Sequence, residues 1–102
     1  MKIYIVERQD KIYYDFSVYT KKYQCTTNKE QALKKAKEVF ESMYTEYADD
    51  IETYSDKEAY VDADDGALEI VQNEADGFYR MSFGFEEDYE VHRVYIEECD
   101  IE

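Results

Sequence analysis

Apolar and polar residues alternate along "KIYIVERQDKIYYDFSVYT", residues 2–20, in the two-residue period of strands with one face turned inward. The period predicts two strands, about residues 2–8 and 12–20, with Gln9 to Lys11 as the turn of a hairpin. The period then changes. "TTNKEQALKKAKEVFESMYTEY" opens on a T-x-x-E pair, Thr27 and Glu30, the signature of a capping box. Leu33, Ala36, Val39, Phe40, Met43, Tyr44 and Tyr47 follow at three- and four-residue steps, which predicts one amphipathic helix over about 28–50.

From Asp49 to Asp65 the pattern weakens. Ser55 and Glu58 form a second capping-box pair, and Ala59 to Asp64 fits a short helix or a strand equally well. Beyond it, "ALEIVQNEADGFYRMSFGF" reads as two strands joined near Asp76-Gly77, a dipeptide that tolerates the positive φ of a tight turn. "YEVHRVYIEE" supplies a last strand. The order β-β-α-β-β-β predicts an α+β domain, an antiparallel sheet of about five strands with one long helix packed on one face. With 102 residues the chain is expected to form a single domain, 1–102.

Charge changes the picture most. Twenty-six acids against twelve bases give −14, beyond the magnitude of roughly 2 to 8 that solubility of a small domain asks for. The excess is uneven: residues 1–45 hold nine Lys/Arg and six Asp/Glu, +3, and residues 46–102 hold three and twenty, −17. Such a field repels nucleic acid, anionic lipid and nucleotides, so the expected partner is a basic protein surface. Within the helix, Lys29, Lys34, Lys35 and Lys37 stand toward the N-terminus and Glu46, Asp49 and Asp50 toward the C-terminus, against the macrodipole. The pairs Lys34 with Glu38 and Lys37 with Glu41 also run in the weaker orientation. Local rules broken without local compensation point to function. The acidic end is therefore read as presented outward.

Candidate chemistry is sparse. In "VDADDGALE", counting from Asp62 puts Gly66 at position 5 and Asn73 at position 12, out of register for an EF-hand loop, and no metal or cofactor is expected. The same stretch suits a hairpin, with Asp65-Gly66 as the turn, Ala67 to Gln72 returning, and Asp62 and Asp64 on one side about 6.6 Å apart. The single histidine, His92, sits in mid-strand beside Arg93 with no nucleophile identified, so it reads as a sheet residue and the chain as no enzyme. Cys25 and Cys99 read as free thiols. No apolar run is long enough to span a bilayer, and "MKIYIVERQD" turns charged too early for a signal peptide, so a cytoplasmic location is expected. Most tyrosines fall in the predicted elements, but Tyr54, Tyr60 and Tyr89 lie among acids, where aromatic area suits an interface.

The stretches "YADDIETYSDKEAYVDADDG", "FEEDYE" and "IEECDIE", on a chain of this size without enzyme motifs, resemble the small acidic inhibitors that phages use against host defences, anti-CRISPR proteins in particular. The resemblance lies in general character and in no shared motif. It implies a non-enzymatic DNA mimic, phage-encoded and acting in the host bacterial cytoplasm, that occupies the basic groove of a CRISPR effector and blocks target DNA or PAM binding. Glu46, Asp49, Asp50, Glu52, Asp56, Asp62, Asp64 and Asp65 would carry the contact, with Glu86, Glu87, Asp88 and Glu90 as a second cluster and Tyr54, Tyr60 and Tyr89 adding area. A protein-interaction or assembly module with a neutral face, and an inhibitor of a restriction enzyme or DNA glycosylase, are the alternatives.

Overall fold

A computed structural model describes residues 1–13, 16–55, 68–84 and 89–101. Strands β1 (Lys2–Ile12) and β2 (Ser17–Thr26) precede helices α1 (Lys29–Glu46) and α2 (Ala48–Tyr54), and strands β3 (Leu68–Asn73), β4 (Phe78–Phe83) and β5 (Glu90–Asp100) follow. The fold is α+β: the strands form one antiparallel sheet in the order β2-β1-β5-β4-β3. The long β1 and β5 pair at its centre over their whole length, Lys2 opposite Asp100 through Ile12 opposite Glu90.

The first hairpin turns later than its polar triplet suggests. Gln9, Asp10 and Lys11 stay in β1, opposite Arg93, His92 and Val91 of β5, and β2 begins only at Ser17. The reason is tertiary. All three residues pair through their backbone with β5, and Asp10 also finds His92, so the local turn signal is overridden. A register shift between Val6 and Glu7 gives β2 one extra residue in its pairing with β1.

The helical region also departs from expectation. Asn28, not Thr27, caps α1, its Oδ1 accepting from Gln31 N, while Thr26 Oγ1 accepts from Asn28 N. The single helix expected over 28–50 becomes two. Tyr47, at φ −104° and ψ 22°, separates α1 from α2, although Tyr47 N still donates to Met43 O and Ile51 N to Tyr47 O. The break lets Ile51 and Tyr54 turn toward the sheet. Ser55 is the C-cap of α2, and Glu58, its expected capping-box partner, lies outside the described residues. Of the expected pairs on α1, Lys35 rather than Lys34 lies near Glu38 at 3.9 Å, and Lys37 reaches Glu74 at 2.8 Å rather than Glu41.

The β3–β4 turn matches its signal. Asn73 Oδ1 accepts from Asp76 N, and Gly77 adopts φ +65° where a side chain would run into Ile96 and Leu33. The expected hairpin at Asp65-Gly66, the acids Asp62 and Asp64, and the helix-or-strand stretch 59–64 lie outside the described residues.

The core lies between the helices and one face of the sheet. Ala32, Ala36, Val39, Phe40 and Met43 of α1 and Ile51 of α2 pack on Val6, Tyr79, Met81, Phe83 and Val94. Phe40 stacks on Tyr79 with ring centroids 4.7 Å apart. No described helix covers the other face, where Ser82 and Val91 are buried beside half-buried Gln9, Arg80 and Arg93. No described helix is long and apolar enough to cross a membrane.

Candidate functional site

The helical acids reach one end of the sheet through a buried polar network. His92 on β5 faces the helices and is 0% exposed. Its ring stacks on Tyr47 at 4.3 Å and is flanked by Phe83 at 5.5 Å. Its Nδ1 meets Asp10 Oδ1 at 2.5 Å. Burial alone would raise the Asp10 carboxyl, but the hydrogen bond from His92 and the Arg8 charge outweigh it and hold the group below the usual carboxylate range. With Asp10 ionised, Nδ1 carries the shared proton.

Arg8 extends the network to the helices. Its Nε donates to Asp10 at 3.1 Å, one terminal nitrogen to Glu46 at 2.9 Å and the other to the Tyr47 hydroxyl at 3.4 Å. Burial works against the Arg8 charge, yet Glu46 and Asp10 overcome it and raise its pKa. Burial is also the main reason the Tyr47 phenol is pushed up to about 12, with Glu46 adding to it. The break between α1 and α2 is thus bonded to β1 and stacked on β5. That contact fixes where the following acids stand.

Of the residues expected to meet a partner, seven are described. Asp49 and Glu52 are exposed and Asp50 half-buried, all on α2, with no side-chain ion pair among the described residues. Glu46 is exposed but tied to Arg8, so part of its charge is neutralised. Tyr54 is half-buried and stacks on Phe83 at 5.8 Å, and Tyr89 packs on Tyr13 at 5.5 Å, so both anchor structure. Glu90 is half-buried opposite Ile12 and Phe83, with Oε1 3.8 Å from His92 Nε2. These contacts bring α2 and the start of β5 to the same end of the sheet. Asp56, Tyr60, Asp62, Asp64, Asp65, Glu86, Glu87 and Asp88 lie outside the described residues.

That end also carries apolar surface. Tyr13, Phe16, Val18 and Tyr19 are all exposed, Phe16 to 88%. Phe16 has φ +56°, a region that costs a side-chain-bearing residue roughly 1–2 kcal/mol. Strain on an exposed aromatic is unrewarded within the described fold.

Sequence reading missed the role of His92, which joins both halves of the chain. A signal existed in hindsight: one histidine in a strand and an aspartate in a polar triplet are what a buried charge-assisted pair needs. Nε2 is buried without a hydrogen-bond partner, 3.8 Å from Glu90 Oε1, and the ring lies against Tyr47 and Phe83. Elsewhere, an open groove between α1 and β4 has Phe40, Tyr44 and Tyr79 along it. Among the described residues no group of three or more His, Cys, Asp or Glu is placed to hold a metal, and Cys25 and Cys99 are free thiols. Compared with protein-family models, curated proteins and solved structures, the chain matches none.

Proposed function

We propose that the protein is a non-enzymatic acidic inhibitor that occupies the basic nucleic-acid-binding groove of a host defence enzyme, a CRISPR effector first and a restriction enzyme or DNA glycosylase second. The observation that carries this reading is the acid on α2, Asp49, Asp50 and Glu52, which has no ion pair among the described residues, within a half-chain of −17. These carboxylates stand on a helix tied to the sheet at Tyr47, so their spacing is set before a partner arrives. Preorganised charge binds with less ordering cost than a loose acidic tail. A groove that holds nucleic acid is lined with Lys and Arg, and a folded polyanion is steered to it quickly.

Competition tests it. The protein is expected to displace PAM-containing duplex DNA from a purified effector, more weakly as salt rises. The triple variant Asp49→Lys, Asp50→Lys, Glu52→Lys is expected to compete at least about tenfold less well, a change of about 1.4 kcal/mol. Displacement by the variant equal to that by the native chain would sink the reading.

The exposed Tyr13, Phe16, Val18 and Tyr19 favour a second reading, an assembly module that binds through an apolar face. It predicts a partner whose affinity barely responds to salt and falls sharply on Phe16→Ser. The two readings separate on that salt series.

A further inference from the structure

The face of the sheet that no described helix covers, its open face, carries a feature that the acidic reading leaves unexplained. One row crosses all five strands: Thr20 opposite Gln9, Gln9 opposite Arg93, Arg93 opposite Arg80, and Arg80 opposite Val71. Directly opposed residues of an antiparallel pair project from the same face, so two guanidinium groups stand side by side on neighbouring strands. Like charges so placed are destabilising. Lys11, opposite Val91 and two residues from Gln9, adds a third cation to this face.

The described carboxylates nearest them are otherwise engaged. Arg80 holds Glu69 at 3.1 Å. Glu7, two residues from Gln9 on the same face, accepts the Tyr95 hydroxyl at 2.9 Å. Among the described residues Arg93 has no ion pair, and its Nε is buried without a hydrogen-bond partner. Among the described acids none pairs with Arg93, although Glu69 lies on the same face with Arg80. A buried donor left unsatisfied costs on the order of 1–3 kcal/mol.

We propose that Arg93, with Arg80 and Gln9 beside it, is an oxyanion-binding site on the open face of the sheet, which takes a phosphate group or a carboxylate through the vacant donors of Arg93. The fork of donors on a guanidinium matches both anions, and the neighbouring Arg80 supplies field while Gln9 supplies a neutral amide. The site is separate from α2, which lies on the opposite face, and it stands or falls independently of the inhibitor reading.

The experiment uses the full chain at pH 7 and constant ionic strength, with the Arg93 Nε–H resonance followed by NMR. Inorganic phosphate and acetylated pentaglutamate are the two probes, and sodium chloride is the control. Saturable movement of that resonance with phosphate assigns a free phosphate group; movement with pentaglutamate alone assigns a protein carboxylate. In either case Arg93→Gln is expected to weaken binding at least tenfold, read on the backbone amides of Gln9 and Arg80. A response to both probes no larger than that to chloride overturns the proposal. A second measurement covers the free protein. Arg93→Met keeps the aliphatic stem and removes the opposed charge, so its denaturation midpoint is expected to rise, whereas a fall would show that the charge serves the fold and overturn the assignment.

Discussion

On the helix side of the sheet, charge is matched: Asp10 is held by His92 and Arg8, and Arg8 by Glu46 and the Tyr47 hydroxyl. On the open side, Arg93 stands opposite Arg80, and Glu7 raises the pKa of Glu97. The same β1 and β5 strands build both arrangements, with alternate residues facing each way. The difference teaches where the fold is specified and where it is available. Buried ionic groups on the helix side have been satisfied by one another, while on the open side Arg80 has Glu69 but Arg93 faces a like charge and has no ion pair among the described residues. Stability alone does not select the second pattern.

The comparison predicts unequal responses to substitution. Phe83 is 1% exposed and touches Tyr47, Tyr54 and His92. Phe83→Ala is expected to cost about 3–5 kcal/mol in denaturant unfolding. It removes the surface on which both α2 and the His92 ring rest. A cost under about 1 kcal/mol would mean that the helix side is not the packed side.

Asp10→Asn comes next, at about 2 kcal/mol at pH 7, because an uncharged amide keeps an acceptor for His92 but leaves Arg8 and the shared proton without a carboxylate. The pH dependence has a definite sign. The Asp10 pKa is lowered on folding, so its contribution is complete above the unfolded value of about 3.9 and is lost as pH falls through the lower folded value. Native and variant stabilities should therefore differ most near neutral pH and converge in acid. Curves that stay parallel down to pH 2 would remove Asp10 from the network.

Much of this architecture was legible. Period-two alternation located the last three strands closely and the start of the first, and Asp76-Gly77 marked its turn because only glycine suits φ +65° against Ile96 and Leu33. The apolar steps from Ala36 to Met43 identified the buried stripe of α1. What escaped depends on residues distant in sequence. Gln9 to Lys11 look like a turn until β5 lies beside them, and nothing near Tyr47 foretells a break that rests on a histidine forty-five positions later. The acidic imbalance needed only counting. The arginine pair needed the register, since Arg80 and Arg93 become neighbours only once β4 and β5 are aligned.

The smallest expected effect is also the sharpest contrast with Asp10. Glu97 on the open side has its pKa raised, first by its hydrogen bond to Glu7 and then by the Glu7 charge. A raised carboxyl works in the opposite sense to Asp10: its contribution is complete below the unfolded value and is lost as pH rises through the folded value. At pH 7 the native chain carries that repulsion and Glu97→Gln does not. The variant is expected to unfold at a higher temperature than the native chain at pH 7, by less than Asp10→Asn lowers it, and the advantage should vanish in acid. Two carboxylates on the two faces of one strand pair would then titrate with opposite effects on stability. If Glu97→Gln lowers the melting temperature at pH 7, the open face is held together by its charges after all, and the contrast between the two faces fails.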